Sequence, residues 1–280
     1  MKMLLMARFT FREAFHKKVI LGVMLLSLAF LAVFALGNWL AFRDLVPAAS
    51  RSGNNADFSR MISLQLTLLG MNAVSMIGAI LALFLSVGTI SSEVDAGTLY
   101  SILPKPLTRR DVLLGKWLGY ASMLAVYVLA LSLAVCGVVA LFSGHWLPQA
   151  LPASLPLVLQ ALLLLSVSIM GTSFLPTVAN GVMVFAVYSV SLVSGFVEQI
   201  GSIIGNNDMV TAAIAISLLA PSDAMSKLSA SMLQDGASYL ERIGPFMVNY
   251  QPSIWMVVYA VVYSAAMLAV AQAVFARKDL

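Results

Sequence analysis

The chain alternates between long apolar stretches and short polar ones, and the apolar stretches set its architecture. Residues 19–42 are 24 consecutive uncharged residues. About 20 apolar residues cross a hydrocarbon core, so this is the first span. A polar loop follows over 43–60, with Pro47 and Gly53-Asn54-Asn55 as turn formers. Residues 61–92 are again uncharged and form span 2. As one helix at ~1.5 Å per residue they reach roughly 48 Å, so the end of this span projects out of the membrane. From 117 to 197 there are 81 residues without one Asp, Glu, Lys or Arg. That run is punctuated by Ser143 to Pro148 with Pro152 and Pro156, and again by Phe174 to Gly181. The pattern predicts span 3 over 112–142, span 4 over 155–175 and span 5 over 181–204. Span 6 covers 253–276.

Residues 205–252 are mixed. The apolar piece 209–220 has only 12 residues and predicts a re-entrant or interfacial helix rather than a span. Pro221-Ser222-Asp223 offers Ser222 or Asp223 as N-cap of a second short helix. Asp235-Gly236 turns, Ser238 and Glu241 have capping-box spacing, and Gly244-Pro245 breaks the chain again. At the other end, residues 1–18 are basic and aromatic. On a helical wheel Met3, Leu4, Ala7, Phe11, Ala14 and Phe15 share a face opposite Arg8, Arg12 and His16. This is an imperfect amphipathic helix suited to the membrane interface, or else a basic flank that orients span 1. The run that follows is too long for the apolar region of a signal peptide.

The densest polar island is 91–119, SSEVDAGTLYSILPKPLTRRDVLLGKWLG. Ser92 and Asp95 have capping-box spacing and start a helix near Glu93. Pro104-Lys105-Pro106 ends it, because proline lacks the N–H a helix needs and disfavours helix in the residue before it. Thr108 and Asp111 repeat the spacing and open span 3. A short helix, a break and a restart between two spans describe a cytoplasmic loop built to touch something.

Composition agrees. Of 280 residues 61% are hydrophobic and 10% charged, with mean hydropathy +0.96. A soluble domain carries about 25% charged residues. The chain is an all-α polytopic membrane protein folded as one domain, 1–280, with lipid as its main solvent. The net charge of +4 sits beside the spans, where topology accounts for it better than nucleic acid does. Six spans place both termini on one side. Eleven Lys and Arg then share that side with the 91–119 island, against five opposite, namely Arg43, Arg51, Arg60, Lys227 and Arg242. Basic residues favour the cytoplasm, so the termini and the island face inward.

Catalytic chemistry is sparse. Gly115-Lys116 is followed by Trp117 and lacks the upstream glycine of a phosphate-binding loop. No H-E-x-x-H or G-x-S-x-G occurs. The single cysteine, Cys136, lies in an apolar run and reads as packing, and His145 beside Trp146 reads as an interfacial anchor. No metal site is expected, and the scattered methionines serve as filler. Glu198 is the one charge in span 5 and a candidate intramembrane polar site, though about 9 Å from the span end it could also reach water. Gln65, Asn72 and Gln160 either face a polar path or make helix–helix hydrogen bonds.

The island also carries a resemblance. Glu93, Gly97-Thr98-Leu99, Pro106, Thr108-Arg109 and Leu114-Gly115-Lys116 follow one another as in the coupling segment of ABC-2 type (type V) ABC transporter permeases. The layout is similar as well, most of all to the small Nos-type and Nat-type permeases. The resemblance implies an N-terminal elbow helix over 1–18, a coupling segment over 93–110 between spans 2 and 3, and outer re-entrant helices over 205–252. It implies a permease subunit of an ATP-driven transporter, an exporter as most relatives are, in a bacterial or archaeal inner membrane. A separate ABC ATP-binding subunit would bind the ATP, so this chain would need no cofactor and would not be an enzyme. Two permease chains would pair within membrane lipid as a homodimer, or as a heterodimer with a similar chain. Glu93, Asp95, Gly97, Thr98, Leu99, Tyr100, Leu103, Pro104, Pro106 and Arg109 would form the ATPase-coupling set: the acids for basic partner residues, the apolar side chains for a groove. The alternative within the family is a membrane scaffold that passes ATPase-driven force to an extracytoplasmic accessory protein without moving a substrate.

Overall fold

The computed structural model describes residues 6, 10–11, 18–45, 55–86, 109–235 and 253–277. Every regular element among them is helical. The long helices are α1 (Lys18–Leu40), continued by one π-helical turn (Ala41–Leu45), α2 (Asn55–Ser86), α3 (Arg109–Ser143), α4 (Ala150–Thr172) and α5 (Thr177–Ile204). Two short helices follow, α6 (Asn207–Ser217) and α7 (Ser222–Leu233), and then α8 (Ile254–Arg277). Six helices are long and apolar enough to cross a membrane: α1 to α5 and α8. Such spans are helical because lipid offers no partner for backbone N–H and C=O groups.

α4 is the central helix and packs against α2, α3, α5, α7 and α8. Its sequence explains the position. It carries no charge and buries residues all round, among them Leu157, Ala161, Leu164, Leu165 and Ile169. α1 and α8 lie outside and expose apolar side chains such as Leu21, Leu28, Val33, Trp255 and Val262, as lipid-facing spans do. Several polar residues inside the bundle are satisfied locally or between helices. Ser27 and Thr67 donate to the carbonyls four residues earlier, of Val23 at 2.7 Å and Ser63 at 2.8 Å. Trp117 Nε1 donates to Ser166 Oγ at 3.0 Å and ties α3 to α4.

Three boundaries differ from the sequence pattern. α2 starts at Asn55 rather than 61, because the polar residues before the apolar run continue the same helix beyond it. α4 starts at Ala150, so the break after span 3 ends before Pro152 and Pro156. Pro152 stands in the first turn, where the missing N–H has no helical acceptor to lose; Pro156 forfeits one bond and is retained inside the helix. α5 starts at Thr177, directly after Pro176. α3 opens at Arg109 with Asp111 in its first turn, as the Thr108 and Asp111 spacing predicts.

Of the expected coupling set, Glu93, Asp95, Gly97, Thr98, Leu99, Tyr100, Leu103, Pro104 and Pro106 lie outside the described residues, and Arg109 is the first residue of α3. The N-terminal amphipathic helix is also mostly outside them. Residues 6, 10 and 11 are helical, and Phe11 packs on the main apolar core.

Candidate functional site: charges under a re-entrant hairpin

α5 ends in a reversal. Gly205 adopts a left-handed conformation (φ 75°), open to glycine without steric cost, and Asn206 N–H bonds back to the Gly201 carbonyl at 2.9 Å. The Asn206 side chain accepts from the N–H groups of Asp208 and Met209, at 3.1 and 3.2 Å, and caps α6. α6 then runs back along α5. A Cβ at Gly201 would come within 3.0 Å of Met209 Cβ, so the two helices are in close contact at the top.

At its far end α6 meets α7 at an angle of 114°. The junction sits beside Ser191, thirteen residues before the end of α5, or about 20 Å along the helix. α7 then rises again: Asp223 lies at the level of Ser191 and Gly195, and Lys227 at the level of Gly195 and Glu198. Higher still, Ser229 Oγ donates to the Ala153 carbonyl at 2.5 Å, near the start of α4. The chain therefore enters and leaves the bundle on the same side, and α6–α7 is a re-entrant hairpin.

Neither Ser222 nor Asp223 caps α7, contrary to the sequence expectation. The residue before the helix is Pro221, with no side-chain cap. The cap comes from another helix. Ser191 Oγ accepts from Asp223 N–H at 2.8 Å and from Ser222 Oγ at 2.7 Å, and donates to the Ala220 carbonyl at 2.7 Å. One hydroxyl has one proton and two lone pairs, and all three are used. The carbonyls of Leu218 and Leu219 at the junction accept from the hydroxyls of Tyr259 and Tyr263 on α8, at 2.7 and 2.9 Å. One flank of α7 is apolar. Ala224 and Met225 pack with Leu163, Val167, Val184 and Ala260.

The other flank carries the charges. Lys227 Nζ lies 2.6 Å from Glu198 Oε2 and 2.8 Å from Asp223 Oδ2. It also donates to the Gly195 carbonyl at 3.4 Å. All three side chains are largely buried, between 11% and 15% exposed. The close approach depends on Gly195, since a Cβ there would fall on the Asp223 carboxylate. Glu198 thus has a counter-ion. It was visible in the sequence as a lone intramembrane acid; Lys227 and Asp223 were not, having been read as a loop charge and a cap. The available signal was an acid and a lysine at i, i+4 in the short helix that follows an unpaired intramembrane glutamate.

The remaining polar candidates separate. Ser75 Oγ on α2 donates to Gln160 Oε1 on α4 at 2.9 Å, a helix–helix hydrogen bond. Tyr188 on α5 brings its hydroxyl towards Ser75 and interacts electrostatically with Asp223. Asn72 is exposed in the middle of α2, on a face with Leu69, Met76, Ile80 and Phe84. Cys136 is buried and free.

A comparison with curated proteins finds no match. The profile of a family described as ABC-2 family transporter protein matches residues 6–280, nearly the whole length. The family consists of membrane components of transporters and implies an ABC ATP-binding partner. Six apolar spans and a match that runs through all of them make this chain a member of the ABC-2 family of transporter proteins.

Proposed function

We propose that the chain is the permease subunit of an ATP-driven exporter, coupled through residues 93–110 to a separate ATPase that binds the ATP. The observation that carries this reading is the family match over residues 6–280, which includes that segment. In this reading the short helix from Glu93 to Leu103 docks in a groove of the ATPase. α2 and α3, which flank it in the chain and pack on each other, transmit the movement. The termini and the coupling segment face the cytoplasm. Burial of Lys227 in the ion cluster supports this orientation, because it removes one of the five basic residues from the opposite loops. The hairpin then opens to the outer side.

A second permease chain completes the transporter. The reading is supported by Asn72, whose amide is exposed at mid-membrane along a face of α2. An amide facing hydrocarbon is unfavourable, and a facing protein surface or a polar pathway gives it partners.

The test is co-purification from the native membrane with mild detergent, followed by mass spectrometry. A P-loop ATPase is expected with the wild type and is lost when residues 93–103 are replaced by a Gly/Ser linker. Retention of the ATPase by the linker variant, or its absence from the wild type in several detergents, overturns the coupling assignment.

A further inference from the structure

The ion cluster has a charge count that does not balance. Two carboxylates meet one ammonium. If all three groups are ionised, one negative charge remains inside the bundle, where low dielectric makes an uncompensated charge unfavourable. The ammonium serves both carboxylates and a backbone carbonyl. Nζ donates hydrogen bonds to Glu198 Oε2 and to the Gly195 carbonyl. Asp223 Oδ2 lies 2.8 Å from the same ammonium and is shut off from solvent. Tyr188, only 7% exposed, lies within electrostatic reach of Asp223. One surplus negative charge therefore lies in a buried cluster with a single ammonium.

The elements around the cluster supply no other compensating charge among the described residues. α4 has no titratable side chain. α2 contributes Ser75 at this level, its own charges Asp57 and Arg60 standing at its start. α6 carries only Asp208, in its first turn. α8 presents Tyr259 and Tyr263, both donating to backbone carbonyls. On α5 and α7 the facing groups are Glu198, Tyr188, Ser191, Ser226 and Lys227.

We propose that Asp223 is a proton-binding site: at neutral pH it holds one proton taken from water, which leaves Glu198 and Lys227 as a neutral pair. An O–H bond forms on the Asp223 carboxyl and the cluster's formal charge rises from −1 to 0. Proton binding and hairpin position are then linked. If α7 separates from α5, water reaches Asp223 and Glu198, the ionised acid becomes favourable, and the proton leaves. By reciprocity, removing the proton loosens the hairpin.

Infrared difference spectroscopy of the full chain in lipid nanodiscs tests this. The wild type at neutral pH is expected to show the C=O stretch of a protonated carboxylic acid that shifts in heavy water. The band is lost in Asp223→Asn, and lost too in Glu198→Gln, which removes the surplus charge and leaves ionised Asp223 balanced by Lys227. Should Asp223→Asn fail to fold, wild type grown with isotopically labelled aspartate decides: the band moves with the label. No protonated-acid band, a band that survives Asp223→Asn, or a band that moves with labelled glutamate instead overturns the proposal.

Discussion

Lys227→Met is the sharpest perturbation of the hairpin. Methionine keeps most of the length of the side chain and removes the ammonium, leaving Glu198 and Asp223 without their shared partner. Removing one member of a buried ion pair costs about 3–5 kcal/mol. The protein has one escape, which sets an upper limit. Glu198 can take up a proton, and at neutral pH that costs an ordinary glutamate about 4 kcal/mol. At pH 5 the same uptake costs only about 1 kcal/mol. Lys227→Met is therefore expected to lose about 3–4 kcal/mol of stability at pH 7 and much less at pH 5. The sign follows from proton number: the folded variant holds a proton that its unfolded chain has released at pH 7, so its stability falls as pH rises. Unfolding by sodium dodecyl sulfate in mixed micelles, followed by circular dichroism, measures the difference at both pH values. Glu198→Gln combined with Lys227→Met removes both charges of the pair and should recover at least half of the loss. A single variant as stable as wild type at pH 7, or a double variant no better than the single, refutes the view that Lys227 neutralises a buried acid.

Other variants probe the same packing and the coupling segment. Gly195→Ala places a methyl group on the Asp223 carboxylate and should cost about 1–3 kcal/mol in the same titration, whereas Gly22→Ala, with open space around it, should cost nothing. Ser191→Ala removes the acceptor of the Asp223 N–H and the donor to the Ala220 carbonyl, and should cost about 1–2 kcal/mol while leaving the six spans helical. Glu93→Ala and Gly97→Pro should uncouple ATP hydrolysis from transport, or weaken ATPase binding, without unfolding the spans. Wild-type transport by both in reconstituted vesicles would count against the coupling segment. In the same vesicles a small-molecule stimulator of ATP hydrolysis points to export, and an outer protein that stimulates it points to force transmission.

The spans were legible because lipid demands an apolar run of a certain length, and a run such as 19–42 has no other reading. The short helices were legible for the converse reason: residues 209–220 are apolar but too few to cross. Helix starts were less legible. Asn55 to Arg60 look like loop by composition, yet a helix once started carries polar residues into the interface. Pro152 and Pro156 look like breaks, yet near the start of α4 they remove few bonds. The ion cluster was half legible. Glu198 stands out because no other charge occurs in 117–197, but its partner is 29 residues on, across a reversal and a re-entrant turn. No periodicity connects the two; only the fold of the hairpin does. The Ser191 cap was hidden for the same reason, since local rules look for a cap beside the helix it serves.

The trans-helix cap on α7 has a consequence for biogenesis. With 11 and 12 residues, α6 and α7 are each too short for the insertion machinery to retain as spans. Both leave the ribosome after α5, and the tyrosines that satisfy the Leu218 and Leu219 carbonyls come later still, on α8. Until α8 is in place the hairpin lacks part of its hydrogen bonding. The α6–α7 junction is thus completed by a helix synthesised after it, and a chain truncated before α8 should hold its first five spans but leave α6 and α7 open to proteolysis from the side on which α5 ends.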